Sequence, residues 1–325
     1  MISVAMAVCD GEKYIEQQLR SIMEQTKIPD EIVISDDASC DRTLEIVDDI
    51  RMEFEEAEIP ILFRVIRNKV RQGYIRNFRN ALEKCRGDII FLCDQDDIWM
   101  RDKVSRMTAL LEKYPQIQVL ASGFSMIDEN GDLLPDHDRG RGTNQNLLKR
   151  RVPAGKITNI ALKELIYHNF CQGCAMAFRK NVKDEFLENF TDSIPHDWQI
   201  NLSAAVGGGT YFYDRKLFRY RIHRDNTTGL AEGQSLRQKK SGEVRMKVPE
   251  QGLENLRYLQ ERYPEYFEKT PGLKKRLVFT KKNLQAMRQR KILPLMLQNL
   301  CPFYGEMKSF LGRMLDLWYV VNRSI

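Results

Sequence analysis

Long apolar runs are missing from this chain. No stretch approaches the ~18–20 apolar residues that a bilayer-spanning helix needs, so no membrane span is expected. The opening run MISVAMAVCDG lacks a basic leader, and its apolar part is short enough for a first strand rather than a signal peptide. A disulfide framework is missing too. Seven cysteines, an odd number, are scattered at Cys9, Cys40, Cys85, Cys93, Cys171, Cys174 and Cys301, which points to a reducing cytoplasm. Cys171 and Cys174 form one CxxC, but no second pair and no His-x-x-His accompany it. Two small buried thiols near a pocket are therefore expected, rather than a zinc site or a redox pair. Internal repeats and low-complexity tracts are absent.

What is present is ordinary in amount and uneven in placement. The chain has 325 residues, 42% hydrophobic and 30% charged, enough for one large α/β domain plus an accessory segment. Its net charge of +6 is concentrated at one end. Residues 230–325 carry 19 Lys+Arg against 9 Asp+Glu, while the rest carries 32 against 36. A basic tail on a nearly neutral body suggests an anionic partner.

The first hundred residues alternate strand and helix signals. Apolar strands are expected at 2–8, 31–35, 61–67 and 88–94, the last covered on both faces. Helical spacing marks 12–25, where Ile15, Leu19, Ile22 and Met23 share a face, and then 43–51 and 75–84. This order implies a doubly wound, mostly parallel sheet. A helix is expected over 103–113 and strands over 117–124, 173–180, 207–214 and 217–223, with a long loop over 128–160. Residues 226–250 are polar and predict a mobile loop or linker. The remainder is helical, interrupted at Pro264, Pro271, Pro294 and Pro302.

In such sheets ligands bind beyond the carboxyl ends of the strands. Four polar clusters follow four strands and should converge there: Cys9-Asp10-Gly11, Asp36-Asp37, Asn68, and Asp94-Gln95-Asp96-Asp97. Three aspartates in four positions repel one another, so a cation belongs among them. Mg²⁺ or Mn²⁺ fits, because hard ions take carboxylates plus substrate phosphates. Helix capping by Asp96 or Asp97 is the competing explanation, but it accounts for one aspartate and not three.

These residues resemble family 2 glycosyltransferases of the GT-A fold. DQDDIW resembles the family's Asp-x-Asp motif, and VAMAVCDGEKYIEQQLRSIMEQT its opening strand and helix. PDEIVISDDASCDRT and NKVRQGYIRNFRNAL resemble its nucleotide-binding loops, and GCAMAFRK, PHDW and YRIHRDNTTG its acceptor side. The resemblance covers about residues 1–229, with Cys9-Asp10 standing where the family commonly has Tyr-Asn. It implies a GT-A domain over 1–229 with a Rossmann-like nucleotide-binding half; beyond it, composition and helical pattern give a linker over 230–250 and a basic helical C-terminal extension over 251–325. It also implies an inverting, metal-dependent glycosyltransferase using dTDP-rhamnose or a UDP-sugar, as in bacterial rhamnosyltransferases of surface polysaccharide synthesis. The acceptor would be a saccharide or a lipid-linked one.

By this resemblance Ala7, Val8, Asp10, Glu12, Asp36, Asp37, Asn68, Gly73, Arg76, Asn77, Asp94, Gln95 and Asp97 surround the nucleotide-sugar. Asp96, Asp94 and His223 hold the Mn²⁺ or Mg²⁺. Asp197 is the catalytic base, and Gly173, Cys174, His196 and Trp198 line the acceptor side. The bland alternatives stay beside these readings: an acidic turn for Asp36-Asp37, a solvated helix face for Arg76-Asn77, a helix cap for Asp197, a surface polar residue for His223. Arg221 and Arg224 are candidates for the diphosphate oxygens, and Trp99 for the core.

The segment 273–291 combines a Lys/Arg-rich face with apolar residues, and 307–321 adds an amphipathic stretch ending in aromatics. They suit a membrane surface on the inner face of the plasma membrane, a helical subdomain packed on the body, or a homodimer. No nucleic acid is expected as partner. Competing functions are a sugar-nucleotide nucleotidyltransferase, which would want a Gly-rich basic loop in place of CDGEKY, and a non-enzymatic nucleotide- or anion-binding protein.

Overall fold

The apolar runs become strands. A computed structural model describes residues 1–135, 152–224, 226 and 242–322. Its strands are β1 (Ile2–Val8), β2 (Glu31–Asp36), β3 (Leu62–Arg67), β4 (Ile89–Asp94), β5 (Ile98–Trp99), β6 (Val119–Ile127), β7 (Ile157–Asn159), β8 (Met176–Arg179) and β9 (Thr210–Arg221). They form one sheet of order β3-β2-β1-β4-β8-β6-β9-β5, with β7 beside β9. The first four are parallel and in the order expected of a doubly wound half. β8 runs antiparallel to both β4 and β6, and β9 returns parallel to β6.

The register places the site. Val8 lies opposite Asp36, Ala7 opposite Asp94, and Asp36 opposite Arg67. The carboxyl ends of β1, β2, β3 and β4 thus meet on one edge. β1, β2 and β4 are buried along almost their whole length, as strands covered on both faces should be. The covering helices are α1 (Ile15–Met23), α2 (Thr43–Glu56), α3 (Tyr74–Lys84) and α4 (Lys103–Lys113), then α6 (Lys180–Glu188) and α7 (His196–Val206). α1 shows why: Ile15, Leu19 and Ile22 share one face and are all fully buried.

Several local expectations need correction. Residues 207–223 contain one strand, β9, not two. Opposite Gly123 the register of β9 jumps, so that Asp214 and Arg215 bulge out and the polar DRK run passes without ending the strand. The loop expected over 128–160 contains β7, and its residues 136–151 lie outside the described residues. Two residues are enough for β5 because it is pinned to β9 at both positions.

The chain divides into two compact units, Met1–Ala161 with Phe170–Asn226, and Leu162–Asn169 with Thr227–Ile325. The second unit holds α5 (Leu162–Leu165), α8 (Gly242–Arg262), α9 (Pro264–Lys269), α10 (Pro271–Arg288), α11 (Ile292–Gln298), α12 (Pro302–Met307) and α13 (Phe310–Val321). α8 begins inside the stretch expected to be linker, where Pro249 and polar residues hide its helical face. Residues 227–241 of that stretch lie outside the described residues. Pro264, Pro271 and Pro302 each stand at the first position of a helix, where the missing N–H is harmless.

This unit has its own polar anchor. Asp316, fully buried, accepts from Lys308 Nζ at 2.7 Å and from Tyr304 Oη at 2.7 Å, with Arg245 Nε at 3.1 Å. The early segment joins it through Tyr167 Oη to Thr280 Oγ1 at 2.9 Å and Asn255 Nδ2 to the Ile166 carbonyl at 2.9 Å.

Candidate active site

The acidic run leaves the sheet at Asp94, the last residue of β4, and its three carboxylates separate. Asp96 turns toward β9's end, where its Oδ2 lies 2.8 Å from His223 Nε2. Asp97 turns inward and is fully buried. Asp94, Asp97 and Cys174 bring one possible ligand atom each within 4.8 Å of one another. Burial, then the charge of Asp96, pushes the Asp94 carboxyl up to about 7. Burial followed by the charges of Asp96 and Asp94 pushes Asp97 well up too. Burial also raises the Cys174 thiol well above its ordinary value. Cys174 therefore stays a protonated thiol. The available donors are carboxylate oxygens plus one imidazole, a set that fits a hard divalent ion.

Two buried cations hold this loop. Lys103, the first residue of α4, is fully buried. Its ammonium donates to the Cys174 carbonyl at 2.5 Å and lies over the Trp99 and Phe218 rings at 4.3 and 4.5 Å. Burial pushes it down to about 8, while the charges of Asp97 and Asp94 act the other way. A signal for it exists: Lys103, Met107 and Leu111 share one helix face.

Arg221, a candidate for the diphosphate, is spent on backbone. Nε donates to the Asp96 carbonyl at 2.8 Å, Nη1 to the carbonyls of Asp128 and Glu129 at 3.3 Å, and Nη2 to Gln17 Oε1 at 2.5 Å. Its guanidinium covers the Tyr14 ring at 4.6 Å, and its own N–H donates to Asp97 Oδ1 at 3.2 Å. It is a strut for the acidic loop.

The residues expected around the nucleotide come together, some by bonding to one another and some to their neighbours. Asp37 Oδ1 accepts from Asn68 Nδ2 and the Gln72 N–H, and Oδ2 accepts from the Gly73 N–H. Gly73 stands before α3 with φ +82°, a conformation that favours glycine. Asn68 bonds Asn77, and Asn77 Nδ2 donates to the Val8 carbonyl at 3.1 Å. Asp36 is fully buried and accepts from the Ser39 N–H at 3.2 Å. Gln95 reads the Cys9 backbone in both directions, at 2.8 and 3.0 Å. Asp10 accepts from the Cys40 N–H and pairs with Arg71, and Glu12 accepts from the Arg42 N–H. Arg76 departs from the group, because its guanidinium is taken by Asp192 at 2.6 Å on the surface.

Asp197 lies in the first turn of α7. Its Oδ2 accepts from the Gly173 N–H at 3.0 Å and its Oδ1 from the Trp198 N–H at 2.7 Å. Cys174, the residue after Gly173, brings its sulfur within 4.8 Å of Asp94 and Asp97, which ties Asp197 to the acidic loop. His196, expected to shape the acceptor side, instead packs beneath it. The ring stacks on Phe78 at 4.0 Å, and neither nitrogen has a hydrogen-bond partner among the described residues. Burial pushes it down to about 3, so it is a neutral core ring. Trp99 is a core residue, as expected.

Comparison with known proteins fits this geometry. The model of Glycosyl transferase family 2 matches residues 3–186. An uncharacterized protein of Mycobacterium tuberculosis is 27% identical over 225 residues, 68% of this chain and 59% of its own length. The chain thus spans well under two thirds of those mycobacterial relatives. The dTDP-rhamnosyl transferase RfbG of Shigella flexneri is 28% identical over 253 residues, 74% of this chain and 80% of that one. Among solved structures, S. aureus TarS 1–349 in complex with UDP-GlcNAc superposes with a TM-score of 0.56 at 16% identity, covering 98% of this chain and 91% of TarS. The mannosyltransferase PcManGT of Pyrobaculum calidifontis, in complex with GDP-Man and Mn²⁺, gives 0.52 at 13% identity, covering 100% and 88%. These two likenesses show the fold, a GT-A-type sheet with added helices.

Proposed function

This chain belongs to glycosyl transferase family 2, and from that premise we propose that it is an inverting glycosyltransferase acting on a nucleoside-diphosphate sugar. The observation that carries the reading is the meeting of the acidic loop after β4 with Asp197 at the start of α7, through Gly173 and Cys174. The acceptor hydroxyl attacks the anomeric carbon opposite the diphosphate. Asp197 takes the hydroxyl proton as the new C–O bond forms, and the bond to the diphosphate breaks with its electron pair leaving on that group. The Gly173 and Trp198 N–H groups orient the Asp197 carboxylate for this work. Asp96, Asp94 and His223 would hold Mn²⁺ or Mg²⁺, which supplies positive charge against the departing diphosphate. Arg221 and Lys103 keep the loop in place. No covalent intermediate is needed with a single base.

The donor we favour is dTDP-rhamnose or a UDP-sugar, supported by the relative named a dTDP-rhamnosyl transferase and by the UDP-GlcNAc complex of a structural neighbour. The acceptor is a saccharide or a lipid-linked saccharide, met in the cytoplasm. The test is a thermal-shift panel of UDP, dTDP, GDP, CDP and ADP with Mn²⁺ or EDTA, on wild type and Asp96→Ala. A metal-dependent rise with UDP or dTDP, lost in Asp96→Ala, is expected. No shift with any nucleotide from a folded protein sinks the reading.

A further inference from the structure

The second unit turns an apolar stripe outward. In α11 and the turn after it, Leu293, Met296, Leu297 and Leu300 follow the i, i+3, i+4, i+7 spacing of one helix face. A soluble helix puts that face in the core. Here only Leu295 is buried, while Leu293 is 65% and Leu300 85% exposed. At the start of α13, Phe310 and Leu311 are both 68% exposed. Arg313 of α13 donates to the Asn299 carbonyl at 3.5 Å and to Asn299 Oδ1 at 3.3 Å, so the two apolar groups are neighbours.

Beside this crest lies a cleft of about 450 Å³ between α10 and the α11–α12 turn. Val278, Phe279 and Phe303 make its floor, and Lys274, Lys275 and Lys282 its rim. Cys301, next to Leu300, closes the end nearest the crest. Lys281 extends the same exposed face. Lys274 is paired with Glu268, but Lys275, Lys281 and Lys282 make no ion pair among the described residues. Glu306 is held at 2.7 Å by Arg276, whose guanidinium covers Phe303 at 4.5 Å. The cleft therefore faces outward with uncompensated positive charge over an apolar floor.

We propose that this face docks on an anionic phospholipid bilayer, with head-group phosphates at the lysine rim and the leucine crest in the acyl boundary. An apolar crest alone would suit a second protein copy. The unpaired lysines beside it argue for a sheet of negative charge, because a second copy would bring its own lysines against them. The inference goes beyond the transferase reading and does not depend on it.

The test is co-sedimentation of the full chain with vesicles of phosphatidylcholine alone or mixed with phosphatidylglycerol, at low and high salt. Binding to the mixed vesicles and not the neutral ones is expected. A basic residue near an anionic surface is worth about fivefold in affinity, so Lys275→Ala/Lys281→Ala/Lys282→Ala should bind roughly a hundredfold more weakly. Leu297→Glu/Leu300→Glu should lose binding at both salt concentrations. Both variants alter only exposed residues, and each should keep the wild-type melting temperature and nucleotide response, which separates this result from any failure of the transferase reading. Absence of binding to the mixed vesicles, or equal binding by the lysine variant, overturns the proposal. So does a wild-type dimer that the leucine variant converts to monomer.

Discussion

One ring, His196, should make acid unfavourable to this fold, while the buried Asp94 and Asp97 carboxyls, pushed up by burial, act the other way. His196 is buried against Phe78, and burial holds it neutral down to about pH 3. In the unfolded chain the same imidazole titrates near pH 6.5. Between those values the unfolded chain binds the extra proton at this ring, so the stability that His196 contributes falls as pH falls. Each pH unit below 6.5 removes about 1.4 kcal/mol, which makes the loss at pH 5 about 2 kcal/mol. The perturbation is His196→Asn, which removes the titration. The variant should be weaker at every pH, because the stacking is lost, so the slope is the readout. Urea denaturation at pH 7, 6 and 5 compares the two proteins. Between pH 7 and 5 the variant should lose about 2 kcal/mol less than wild type. Parallel profiles would refute the claim that His196 is buried neutral, and with it the packing of α7 on α3.

Other substitutions probe other parts of the argument. Arg221→Met would strand the carbonyls of Asp96, Asp128 and Glu129, at roughly 1 kcal/mol each or more, and should lower the melting temperature by about 6–12 °C. A change under 2 °C in a thermal scan would mean that Arg221 is not a strut. At Gly87 an added Cβ would lie 2.7 Å from the Ser3 backbone nitrogen, so Gly87→Ala must push β1 away from the approach to β4. A loss of about 1–3 kcal/mol is expected by denaturation, and a neutral variant contradicts the close contact. Asp197→Asn keeps the shape of the side chain but removes the base. Turnover of donor and acceptor should fall about 10²–10⁴-fold with nucleotide binding intact, and undiminished turnover excludes Asp197 from proton transfer.

Most of the sheet was legible because a strand covered on both faces is an uninterrupted apolar run. Its short members were not. β5 and β7 have two and three residues, too few for a period, and exist because β9 offers them an edge. β9 read as two strands because a polar bulge looks like a turn until its partner, Gly123, is known. At the site the residue types were readable and the division of labour was not. Three aspartates lead one to expect a cation, but only the chain's return at His223 shows which of them meets an imidazole. Arg76 and Arg221 looked like phosphate ligands because a guanidinium's partner is set by residues over a hundred positions away. Lys103 carried a usable signal in its apolar helix phase.

The segment Leu162–Asn169 belongs to the helical unit although the sheet unit continues after it, from Phe170. A protein cut after residue 229 would therefore still carry Ile166 and Tyr167 while having lost Asn255 and Thr280, the groups that satisfy them. The cut would leave behind an apolar segment without its shelter. Weak expression or lost turnover in such a truncation would report that damage, not a duty of the removed helices. Dissecting the two halves calls for point changes on the outer faces of α10 and α11, which leave the shared segment covered.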